Sequence, residues 1–135
     1  MAEGVGKMSG IQIMGLPEQP LEGIRLENIR LISHGGGSQA DAAITPKELG
    51  DGYPEPRELG TMPAYGIFAR HVHDLELANI TVGFETNDLR PAASFADIDG
   101  LEIDNFKPQV APGVEAAKFA GDIRNLVVRN SPLIK

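Results

Sequence analysis

Four copies of one short template constrain this chain of 135 residues more than any other feature. The template reads apolar, any, small or polar, apolar, any, apolar, any, Asn, and usually apolar again. Its copies are Leu21-Glu22-Gly23-Ile24-Arg25-Leu26-Glu27-Asn28-Ile29, Val72-His73-Asp74-Leu75-Glu76-Leu77-Ala78-Asn79-Ile80, Ile98-Asp99-Gly100-Leu101-Glu102-Ile103-Asp104-Asn105-Phe106 and Ile123-Arg124-Asn125-Leu126-Val127-Val128-Arg129-Asn130-Ser131. The asparagines stand 51, 26 and 25 residues apart. Self-similarity at a period of about 20–50 residues marks a stacked-repeat protein. Within a copy, apolar positions such as Ile24 and Leu26 alternate with charged ones, which is the period of a half-buried strand. The spacing of an amphipathic helix fails in all four. A second short strand is expected upstream of each copy, at Gly10–Met14, Tyr65–Ala69, Ala92–Ala96 and Ala116–Ala120.

A unit of this size cannot bury its apolar face alone, so neighbouring units must stack at strand spacing, about 4.8 Å. The expectation is an all-β fold: one parallel β-helix (solenoid) segment over residues 1–135, of about four coils, with a long loop inserted at 33–63. The inserted loop accounts for the gap of 51 residues. Composition agrees, since 16 Gly, 10 Pro, 5% aromatic residues and no Trp suit short strands joined by tight corners. Asn28, Asn79, Asn105 and Asn130 then lie above one another, and their side-chain amides form a structural ladder. Asn79-Ile80-Thr81 matches the glycosylation pattern, but a ladder position is expected to be too buried for modification. A leucine-rich horseshoe fits less well, because its Asn would fall where Ile29 stands, one residue out of frame.

Met14-Gly15-Leu16-Pro17, the first template copy, Asp51-Gly52-Tyr53-Pro54-Glu55-Pro56 and Met62-Pro63-Ala64-Tyr65-Gly66-Ile67-Phe68-Ala69-Arg70-His71-Val72 together resemble bacterial members of glycoside hydrolase family 28, the polygalacturonases. The resemblance runs from about residue 5 to residue 107. It implies a right-handed parallel β-helix, and inverting hydrolysis of an acidic, plant-type pectic polysaccharide. It also implies an exported full-length parent, of which this chain would be the C-terminal coils. The family's catalytic Asn-Thr-Asp and Asp-Asp motifs, and its Gly-His-Gly and Arg-Ile-Lys motifs, do not occur here. Thr86-Asn87-Asp88 has the right residues in the wrong order, so no catalytic residue carries over.

The residues themselves lead to the same expectation. An inverting glycosidase needs two carboxyl groups about 6.5–9.5 Å apart. Asp97 and Asp99, two apart on a strand, would share a face at about 7 Å. They read as solvated charges, with nothing beside them to raise a pKa. His71 and His73 would also share a face, but a metal site needs a third ligand, so no metal or cofactor is expected. His34-Gly35-Gly36-Gly37-Ser38 lacks the ending of a phosphate-binding loop and reads as a turn. Aligning Phe68 with Phe95 puts Arg70 one coil from Asp97, within reach of an ion pair, with a uronate carboxylate as the alternative partner. Tyr53, Glu55 and Arg57 in the insertion, with Arg70 and His71, are the residues expected to wall a glycan groove.

The net charge of −7 opposes binding to nucleic acid or to an anionic membrane. There is no cysteine for a thiolate site and no apolar run long enough for a membrane helix. The N-terminus lacks the apolar core of a secretory signal, so the chain as written is expected to stay where it is made. A non-catalytic reading remains open beside the hydrolase one: a glycan-binding or self-associating β-helix module. Unpaired coil ends predict self-association, with a dimer through the N-terminal coil as one form.

Overall fold

The computed structural model describes residues 10–44 and 62–134. Five strands form one sheet: β1 (Ile11–Met14), β2 (Leu21–Gly35), β3 (Ile67–Thr86), β4 (Ala93–Pro108) and β5 (Ala117–Arg129). Every pairing between them is parallel. β1 and β2 lie end to end along β3, with Ile11 beside Ile67 and Leu21 beside Val72. β4 follows β3, and β5 follows β4. The expected all-β, parallel organisation is therefore present, and each repeat is one rung of the sheet.

Strands this long hold together because they bend at fixed places. Residues with φ near +60° fall into three columns, one above another. His71 (57°), Asp97 (53°) and Gly121 (63°) form the first. Gly23 (66°), Asp74 (62°), Gly100 (83°) and Asn125 (56°) form the second, and these are the turn positions of the template. Asn28, Asn79, Asn105 and Asn130, at 52–56°, form the third. Left-handed backbone is costly for side chains with a crowded Cβ, and Gly, Asn and Asp enter it most readily. That is why these residue types recur at the corners. The first column lies outside the template, and His71 there is the other residue type enriched in left-handed backbone.

Between corners the alternation works as expected. Leu75 and Leu77 point into the core with Leu101 and Ile103, all essentially fully buried. Phe95 stacks on Phe119 with ring centroids 5.6 Å apart and planes inclined by 22°. One end of the β3 rung touches the other: Tyr65 meets Phe84 edge to face at 5.2 Å, and its hydroxyl donates to the carbonyl of Gln109, with Val82 O at 3.3 Å. Burial pushes the Tyr65 phenol far above its ordinary pKa, so it stays a neutral donor.

Three sequence expectations need correction. Phe68 lies beside Ser94, and Ala69 beside Phe95, so aligning the two phenylalanines is one residue out of register. A slip of one exchanges the faces of a strand, and the register partner of Arg70 is Ala96, not Asp97. The loop expected from residue 33 begins later, because Ser33 to Gly35 still pair with Phe84 to Thr86. Beyond them a single helical turn, α1 (Gln39–Ala42), is capped by Ser38 and Asp41, each side chain accepting from the other's backbone N–H. Finally, Asn79 is exposed, so burial does not protect its Asn-Ile-Thr triplet.

Candidate functional site

The corner asparagines do form a ladder. Asn79 Nδ2 donates to Asn28 Oδ1 at 3.1 Å, and Asn105 Nδ2 donates to Asn79 Oδ1 at 2.9 Å. The ladder changes partner at the last rung, where Asn130 Nδ2 reaches Asp104 Oδ1 at 3.0 Å. Asn125 makes the same kind of step to Asp99 Oδ1 at 2.8 Å. Both amides thus reach the acid that precedes their neighbours in the register, Gly100 for Asn125 and Asn105 for Asn130. A bulge lies upstream of them, where Gly121 and Asp122 together stand opposite Asp97 between the pairs Ala96/Ala120 and Ile98/Ile123.

At the first corner His71 Nδ1 lies 2.6 Å from Asp97 Oδ2. The His71 side chain is 9% exposed and that of Asp97 41%, so the pair sits at the boundary between core and solvent. The left-handed backbone at both residues breaks strand alternation there. His71 and His73 therefore do not share a face by spacing, and neither do Asp97 and Asp99. Asp99 is engaged elsewhere, with Arg124 Nε at 3.7 Å and the Asn125 amide. Both carboxylates are open to water, Asp97 at 41% and Asp99 at 37%, unlike a general acid held in an apolar pocket.

Arg70 is 4% exposed, and its guanidinium carbon lies 5.5 Å from the centroid of the Phe68 ring. A side chain so buried does not present itself to a polysaccharide on the surface. Tyr53, Glu55 and Arg57 lie outside the described residues. Of the five residues expected to wall a groove, the structure thus brings together Arg70 and His71, as neighbours at a buried corner.

A buried ion pair escaped the sequence reading. Arg90 grips Asp88 with two nitrogens, Nε to Oδ1 at 2.9 Å and a terminal nitrogen to Oδ2 at 2.7 Å, and both side chains are wholly inaccessible. A further Arg90 nitrogen donates to Met62 O at 3.0 Å. Burial alone would raise the Asp88 pKa. The Arg90 fork and the backbone N–H groups of Arg90 and Gly37 outweigh it and hold the carboxyl below its ordinary range. Gly37 belongs to the same arrangement, since a Cβ there would stand 2.2 Å from Arg90 Nε and 2.4 Å from Asp88 Oδ1. The glycine-rich run is a close-packing device at this position. An Asp-x-Arg spacing on its own gives no signal of this, because the pair depends on the chain returning past it from residue 37.

A cavity of about 500 Å³ opens at the β5 end of the stack. Val110, Val114, Ala116, Ala117, Phe119 and Leu133 line it, with Glu115 as the sole ionisable side chain. One carboxyl group does not make an acid–base pair. Among the described residues no three His, Asp or Glu side chains gather as metal ligands. No helix among the described residues is long and apolar enough to cross a membrane. No protein-family model matches the chain, and neither a curated protein nor a solved structure is significantly similar to it.

Proposed function

We propose that the rungs coil into a right-handed parallel β-helix that serves as a non-catalytic part of a polygalacturonase-like glycoside hydrolase. The observation that carries the solenoid is the brevity of one connection. β3 ends at Thr86 and its parallel neighbour β4 begins at Ala93, beside the start of β3. A straight strand of that length would extend roughly 66 Å at about 3.3 Å per residue. Residues 87–92 can return at most about 25 Å. Parallel neighbours joined by a flat crossover need about a dozen residues or more. The chain must therefore curl back within each rung, as the contact between Tyr65 and Phe84 also requires. Parallel crossovers are right-handed in about 98% of cases, which supports the hand.

The glycan reading rests on the quoted stretches that resemble family 28 and on the insertion bearing Tyr53, Glu55 and Arg57. The engagement of Asp97 with His71 and of Asp99 with Arg124 and Asn125 favours a supporting rather than a catalytic part. The test is affinity electrophoresis through gels containing polygalacturonate or a neutral glucan, with reducing ends assayed in parallel. The expected result is retardation by polygalacturonate alone, lost on combining Tyr53→Ala with Arg57→Ala, and no new reducing ends. Equal mobility in both gels would sink the glycan reading, and reproducible turnover would sink the non-catalytic one.

A further inference from the structure

The two outermost rungs carry opposite charges at matching places. β2 pairs only with β3, and β5 only with β4, among the described residues, so each leaves one backbone edge unpaired. Following the register through the sheet, Glu22 stands in one column with His73, Asp99 and Arg124. Glu27 stands in another with Ala78, Asp104 and Arg129. The β2 end of these columns is therefore acidic, and the β5 end is basic. Both arginines are half exposed, at 54% and 50%, even while they contact acids one rung inward.

We propose that a second copy of this chain stacks head to tail on the first, the β5 edge of one copy against the β2 edge of the next. Keeping the register used inside the chain sets Arg124 beside Glu22, Arg129 beside Glu27 and Asn130 beside Asn28 of the neighbouring copy. Two cross-strand ion pairs form, and the corner ladder gains another step. Ile123, Leu126 and Val128 meet Leu21, Ile24 and Leu26, covering Leu21 and Leu126, which are 39% and 41% exposed in the single chain. The parallel ladder of the sheet continues across the junction. A two-fold dimer would instead set like ends together, Glu22 and Glu27 against their own copies or Arg124 and Arg129 against theirs. It would also lose the alignment of the left-handed corners. A head-to-tail junction made by translation along the stack does not close, so assembly proceeds past the dimer. This inference is for the chain as given and does not use the glycan reading; in a longer protein, coils preceding β2 would take the place of the neighbouring copy.

Charge exchange tests it directly. Sedimentation velocity over a hundredfold range of concentration should show the mass of the wild-type chain rising beyond that of a dimer, less so in high salt. Glu22→Arg with Glu27→Arg gives a chain basic at both ends, and Arg124→Glu with Arg129→Glu a chain acidic at both ends. Each should remain monomeric alone, and an equimolar mixture should assemble again. The single exchanges Glu22→Arg and Arg124→Glu repeat the design more gently, and circular dichroism confirms that each variant is folded. A wild-type chain that stays monomeric overturns the proposal. So does a closed dimer, or a mixture of folded variants that fails to regain mass.

Discussion

The inner rungs, β3 and β4, and the outer rungs, β2 and β5, are written in the same template but live in different surroundings. Leu75, Leu77, Leu101 and Ile103 are almost wholly buried, whereas Leu126 at the equivalent place in β5 is 41% exposed. No local property separates Leu101 from Leu126, which are paired neighbours in the register. The difference is only that Leu101 has a rung on both sides. In a stacked repeat the core belongs to the junction between units, and a unit with one junction has half of one. The connection between the inner rungs also holds the buried Asp88–Arg90 pair, while the ion pairs of the outer rungs lie open to water.

The comparison breaks or sharpens first at the ion pairs. Asp88→Asn leaves Arg90 buried against an uncharged amide, and a loss of about 3–5 kcal/mol is expected from urea denaturation. Arg124→Ala on the outer rung should cost less than about 1 kcal/mol. Equal losses would mean that the two environments do not differ as described. Asp88 also predicts a pH dependence. Its folded pKa lies below its unfolded value of about 3.9, so its contribution is present above that value and is lost as pH falls through the folded pKa. The urea midpoint should therefore fall below about pH 4, and Asp88→Asn should remove that part of the fall.

Next come the leucines. Leu101→Ala should cost about 2–5 kcal/mol, as a cavity between two rungs that cannot collapse onto it. Leu126→Ala should cost roughly half as much or less, since water already reaches that side chain. At the corner ladder, Asn79→Ala removes one donated and one accepted bond and leaves Ala in left-handed backbone at φ 56°. The conformational part alone is about 1–2 kcal/mol. Asn79→Gly should recover most of that part, and a glycine variant as unstable as alanine would show that the amide bonds dominate. The smallest effect is kinetic: in hydrogen exchange at a concentration where the chain is monomeric, β3 and β4 amides should outlast those of β2 and β5.

Much of this architecture was legible from local rules. The template's third position and its Asn both need left-handed backbone, and Gly, Asn and Asp announce such positions without reference to the rest of the chain. The candidate site was much less legible. Aligning Phe68 with Phe95 pairs Asp97 with Arg70, a match of like residues that the register refuses. Since spacing rules assume an unbroken strand, the unexpected left-handed backbone at His71 and Asp97 also undid the arguments for His71 with His73 and for Asp97 with Asp99.

Alternation of apolar and polar residues, and the corner residues that only certain backbones accept, determined the strands and the two bends of the template from the sequence alone, because both are short-range properties. The tertiary structure decided which residues share a column, and thereby the His71–Asp97 contact, the burial of Arg70 and the Asp88–Arg90 fork closed over by Gly37. Each of these joins segments brought together only when rungs stack or the chain turns back between them. A one-residue difference in register, invisible in composition or period, is enough to choose a different partner for every side chain on the face.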